Sequence, residues 1–93
     1  MIADIIVSMD WEKSAEQNFK NILGKIPVFL RPTAAKKVGV KAEALAQAAG
    51  RKEIIEKDLV DAFLLETPFG FHGPLKNDFK EFGIDHTKYG HPK

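Results

Sequence analysis

The chain has 93 residues, 44% of them hydrophobic and 29% charged, a formal net charge of +1 and no cysteine. That length supports one domain with a thin core, and the composition excludes global disorder. Without cysteine there are no disulfides, thiolate metal sites, iron–sulfur ligands or cysteine nucleophiles, which fits a reducing, cytoplasmic setting.

In chain order, the opening Met1-Ile2-Ala3-Asp4-Ile5-Ile6-Val7 is interrupted by Asp4 and has no positive n-region, so it does not read as a signal peptide. Its β-branched residues predict an apolar arm over residues 1–9 that lies over the helices. No run approaches the roughly 18 apolar residues of a membrane span. Asp10 reads as the N-cap of a helix over residues 11–23, where Trp11, Ala15, Phe19, Ile22 and Leu23 recur at helical spacing. Gly24 ends it. Pro27 lacks an amide and biases Ile26 away from the helical region, so residues 25–30 form a stiff apolar connector.

Pro32 suits the first position of a second helix, which runs to about Ala49 with Gly50 as its C′ residue. Ala35, Val38, Ala42, Leu45, Ala46 and Ala49 form a narrow stripe of mostly small side chains, while Lys36, Lys37, Lys41, Glu43 and Gln47 face outward. Gly39 costs about 1 kcal/mol relative to Ala inside a helix, which implies either tight packing or local weakness. Ile54 and Ile55 anchor a short extended turn. Glu56, Asp58 and Asp61, with Lys57, then open a third helix, whose positive end favours anions. Leu59, Val60, Ala62, Phe63 and Leu64 supply its apolar surface, and Thr67-Pro68 stops it.

Beyond lie a rigid aromatic turn, Phe69-Gly70-Phe71-His72-Gly73-Pro74, and a short helix over residues 75–82 that starts from Pro74 and is closed by Gly83. Residues 85–93 read as frayed, and no internal repeat is visible. The expected fold is all-α: a small bundle of three main helices plus a short C-terminal helix, with a histone-like arrangement as one form of it. The expected organisation is an arm over residues 1–9, a helical domain over 10–67 and an aromatic extension over 68–93.

Several of these residues match a known pattern. Trp11 followed by Ala15, the element Ile26-Pro27-Val28-Phe29-Leu30-Arg31, basic residues one turn later, Glu43, Ala46, Gly50, Ile54 and an acidic helix start resemble the small C-terminal domain of the B subunit of light-independent protochlorophyllide reductase, a domain that also occurs alone. The resemblance covers roughly residues 10–66. It departs from the family in a second helix about one turn longer, in Lys36-Lys37 where the family has Arg-Arg, and in the aromatic tail after Thr67. In the full reductase this domain belongs to a subunit that helps enclose a tetrapyrrole, while electron transfer depends on clusters and cysteines elsewhere. The resemblance therefore implies an accessory or protein-interaction domain, without cofactor or reductase activity. Separately, Ala49-Gly50-Arg51-Lys52-Glu53-Ile54 through Asp58, Leu59 and Ala62 resembles the end of an archaeal histone fold, which implies a dimer that sets Arg51 and Lys52 beside DNA phosphates.

The candidate docking residues are Pro27, Phe29, Arg31, Phe69 and Phe71, facing a protein partner or a second copy of the chain. Arg31 offers a bidentate fork to a carboxylate, on an acidic partner or a tetrapyrrole propionate, or within the chain on Glu43 or Asp58. Trp11, Phe19 and Phe29 fit either a core or a planar-ligand pocket. Phe69, Phe71, Phe79, Phe82 and Tyr89 are too aromatic for a disordered tail and either complete the core or dock on another chain. For nucleic acid the candidates are Lys36, Lys37, Lys41, Arg51 and Lys52, against the ordinary reading of a solvated helix face. His72, His86 and His91, near Asp78 and Asp85, match no metal-ligand spacing and read as surface histidines. Ser8 and Ser14 lack a base, Asp58 and Asp61 lie in a capping region, and there is no phosphate loop, so no catalytic residue is expected.

Overall fold

The computed structural model describes residues 9–93. The apolar arm expected over residues 1–9 therefore lies outside the described residues except for Met9, which packs against the core. Four helices carry the fold: α1 (Lys13–Leu23), α2 (Arg31–Ala48), α3 (Glu56–Glu66) and α4 (His72–Glu81). Two short strands, β1 (Asp10–Trp11) and β2 (Glu53–Ile54), pair in parallel, with Asp10 opposite Glu53 and Trp11 opposite Ile54. The described residues are all-α apart from this ladder. No described helix is long and apolar enough to cross a membrane.

The first helix starts later than its periodicity suggests. Asp10 and Trp11 lie in β1, Glu12 is the N-cap, and the Glu12 amide continues the ladder by donating to the Ile54 carbonyl at 2.9 Å. Trp11 thus reaches the core from a strand, stacked on Phe19 with ring centroids 4.8 Å apart. The fourth helix starts earlier than expected, at His72 instead of residue 75, because the turn over Phe69–Phe71 feeds directly into it.

Helix α2 is tightly matched to α3. Ala35, Val38, Gly39, Ala42 and Ala46 are buried on α2, and Asp58, Leu59, Val60, Ala62, Phe63 and Leu64 on α3; the two helices share the most extensive contact in the fold. Small side chains on one helix let large ones on the other approach, and burying a Phe or Leu contributes roughly 1.5–3 kcal/mol. Gly39 is buried, which favours the tight-packing reading of that position.

Glycines end two of the helices in the same way. Gly50 and Gly83 both have φ of +75°. After α2, the Arg51 amide donates to the Ala46 carbonyl and the Gly50 amide to Gln47; after α4, the Ile84 amide donates to Phe79 and the Gly83 amide to Lys80. Each pair of bonds closes a Schellman cap, which needs a left-handed residue at C′.

The element order repeats, although the residues do not. A two-residue strand, an 11-residue helix, a proline-started turn, a second helix and a Schellman glycine follow one another from Asp10 to Gly50 and again from Glu53 to Gly83. The ladder pairs corresponding positions of the two halves.

The C-terminal residues are fastened rather than frayed. A short 3₁₀ turn spans His86–Tyr89; the Tyr89 hydroxyl donates to Glu56 at 2.5 Å, and the His91 ring bonds Asp61 at 2.5 Å. The aromatic group divides accordingly. Phe79 is fully buried, Phe82 and Tyr89 pack on the core, and Phe69 and Phe71 remain outside.

Candidate docking surface

The two proline-started turns are built alike. Pro27 (φ −50°, ψ 139°) leads into the Val28–Leu30 turn, and Pro68 (φ −55°, ψ 144°) into the Phe69–Phe71 turn. In each, the last residue's amide donates to the proline carbonyl, Leu30 to Pro27 and Phe71 to Pro68, both at 2.9 Å. Proline sets φ and lacks a donor, so the preceding helix stops and the chain reverses in a stiff segment.

A side chain at the start of the following helix then locks each turn from behind. Arg31 Nε donates to the carbonyls of Leu23 at 3.0 Å and Ile26 at 2.8 Å, eight and five residues back, and Nη2 donates to Gly24 at 3.0 Å. His72 Nε2 donates to the carbonyls of Leu64 at 3.0 Å and Thr67 at 2.9 Å, again eight and five residues back. Because carbonyl oxygens only accept, Nε2 carries the ring proton. Of these carbonyls, Leu23 and Leu64 belong to the last turn of the preceding helix, and Gly24, Ile26 and Thr67 to the loop beyond it; the charge of Arg31 is also favoured there by the dipole.

The outward faces are apolar. Val28 is 70% exposed, Phe29 77%, Leu30 47%, Phe69 87% and Phe71 64%. Single exposed apolar side chains are common on protein surfaces; here three stand in a row on one stiff turn. Phe69 is steadied by the His72 ring, with centroids 5.5 Å apart.

Among the expected docking residues, Pro27, Phe29, Phe69 and Phe71 therefore lie at the surface, while the Arg31 guanidinium turns inward to backbone carbonyls. Asp58 is instead the partner of Arg51. Trp11 and Phe19 belong to a ladder of rings that continues through Phe63 and Phe79 to His86. Phe29 stands apart from it, so these aromatics do not converge on a planar-ligand pocket.

The five basic candidates are not equivalent. Arg51 Nη2 donates to Asp58, whose carboxylate is 1% exposed and also accepts from the Ile55 amide at 3.0 Å. Lys41 lies 4.0 Å from Glu66. Lys36, Lys37 and Lys52 are exposed and outside any ion pair among the described residues. From Lys37 to the end of α2 is about 16 Å of helix axis, which separates the first two lysines from the third.

The histidines disperse. His72 locks a turn, His91 bonds Asp61, and His86 is 1% exposed with Nε2 donating to the Pro92 carbonyl at 3.1 Å. Among the described residues no cluster of three or more His, Asp or Glu side chains is arranged around a metal. Sequence reasoning missed one feature here. An open cavity of about 430 Å³ is lined by Lys80, Gly83, Asp85, His86, Thr87 and Lys93. Asp85 accepts from the Thr87 amide at 3.0 Å and from its hydroxyl, which holds the carboxyl below its usual range. The carboxylate is thus bonded to Thr87, and no acid–base pair with His86 results. The chain matches no family model, no curated protein and no solved structure.

Proposed function

We propose that this chain is a non-catalytic accessory or protein-interaction module of the cytoplasm, similar to the C-terminal domain of the B subunit of light-independent protochlorophyllide reductase. One observation carries the reading: stiff, proline-started turns hold Val28, Phe29, Phe69 and Phe71 out in solvent, each braced by the side chain behind it. Aromatic anchors that are ordered before binding lose little entropy on docking and are the side chains that dominate interface energies.

The test is recovery of partners from source-cell extract with the tagged chain and with its Phe29→Ser/Phe69→Ser variant. A reductase-like subunit or a pigment absorbance that is recovered with the wild type and lost with the variant supports the module and its family likeness. Equal recovery by both proteins removes the docking surface. Recovery of nucleic acid alone moves the function to the histone-like alternative, a DNA-binding dimer, which retains Lys36, Lys37 and Lys52 as its uncommitted cations. A titration with duplex DNA checks that alternative by its steep inverse salt dependence.

A further inference from the structure

We propose that the corner between α1 and α2 binds an acidic protein segment carrying an apolar anchor; this deepens the module reading above and rests on it. The apolar part of the site is the Val28–Leu30 turn, 47–77% exposed. The two helices that meet at it carry cations. Lys20, in the last turn of α1, and Lys36 and Lys37, one to two turns into α2, are exposed and outside any ion pair among the described residues. Lys25, nearer the turn, is already held by Glu81 at 2.7 Å.

The backbone adds to the same sign. Helix α2 has no acidic residue in its first turn and no side-chain N-cap, whereas α3 has Glu56 and Asp58 in its first turn. The positive end of an 18-residue helix therefore lies beside the apolar turn with no acidic side chain in its first turn. The other turn is flanked by both signs: Glu66 closes α3, and Lys76 and Asp78 lie within the first two turns of α4.

A protein segment fits this corner better than nucleic acid or a lipid surface. Phe29 alone offers a ring for a base to stack on, and three apolar side chains fixed on one turn present a compact knob rather than an amphipathic face. Carboxylates on the rim and one buried apolar residue on the knob would satisfy the charge, the dipole and the exposed area together.

The experiment is selection of random 12-residue displayed peptides on the intact chain at low salt. A synthesised winner is then titrated against the wild type, Phe29→Ser, Lys36→Glu/Lys37→Glu and Phe69→Ser. All changed positions are exposed, and circular dichroism verifies that each variant keeps its helices. The expected winners combine an aromatic or aliphatic residue with at least two Asp or Glu, and bind about tenfold more weakly to the Phe29 and the double lysine variants. Phe69→Ser leaves binding unchanged, and added salt weakens it. Neutral or basic winners overturn the proposal. So does tighter binding to phosphatidylserine vesicles or duplex DNA that the same variants abolish. Winners lost only with Phe69→Ser overturn this corner but keep the module reading, and an absence of winners removes both.

Discussion

Arg31 and His72 lie at the same step of two different turns, and both direct their donors to backbone oxygens. The sequence makes Arg31 look like a carboxylate receptor because acids are visible in it as residues; its actual acceptors are three carbonyls, which every residue carries and no residue name reveals. Arg31→Ala is expected to cost about 1–3 kcal/mol, the scale for leaving charged-donor bonds unmade, and to speed amide exchange at the end of α1. Arg31→Lys restores little, because an ammonium lacks the planar fork. Denaturant titration of both variants checks this. Asp58 is the second such position. It was legible as a helix-start acid, but its role as the buried partner of Arg51 follows only from the loop and β2 that fold Arg51 back onto the start of α3. Asp58→Ala leaves the Arg51 guanidinium and the Ile55 amide without their acceptor. The expected loss is about 3 kcal/mol, the low end for breaking a buried pair, since Arg51 keeps 30% of its side chain exposed. The same titration measures it.

Helix stops were the most readable feature of the chain, because proline and glycine act through the backbone they belong to. Gly24, Gly50, Thr67-Pro68 and Gly83 end or follow helices as expected. Starts were less readable. Trp11 has helical spacing to Ala15 and Phe19, yet β2 captures it, and no local pattern announces a strand partner that lies beyond α2. The repeat of strand, helix, turn and helix was hidden for a similar reason: what recurs is backbone geometry, carried by Arg31 in one half and His72 in the other. Two glycines separate geometry from composition. Gly50→Ala, at φ +75°, is expected to cost about 1–2 kcal/mol because an L side chain clashes in the left-handed region. Gly70→Ala, without positive φ and with nothing within 4 Å of an added Cβ, is expected to stay within about 0.5 kcal/mol of neutral. Thermal melts of the pair distinguish them.

Over the whole molecule, the tail closes what the helices begin. Burial first, then the hydrogen bond and the charge of Glu56, raise the Tyr89 hydroxyl well above its usual value. The folded state therefore holds this proton more tightly than the unfolded chain. Its contribution to stability is fully present below the unfolded value near pH 10 and is lost as pH rises beyond it. Since the chain has a single tyrosine, a difference-absorbance titration reports it directly. The phenolate signal is expected to appear above the ordinary range and together with loss of helix, and Glu56→Gln is expected to bring it lower. A titration at the ordinary value with helices intact would show Tyr89 detached from α3. This closure was illegible because Tyr89 and His91 find their acids about thirty residues earlier, across a fold that must already exist.

The strand ladder carries one more consequence. β1 precedes everything it needs: its partner β2 is positioned only after α2 has run its length and the Gly50 cap has turned the chain. During synthesis the segment holding Asp10 and Trp11 leaves the ribosome long before Glu53 and Ile54, so it must wait, unpaired, while α1 and α2 can already coil. A truncated product ending at Gly50 would contain every element of the first half and still lack its ladder. The chain is duplicated in architecture but indivisible in assembly.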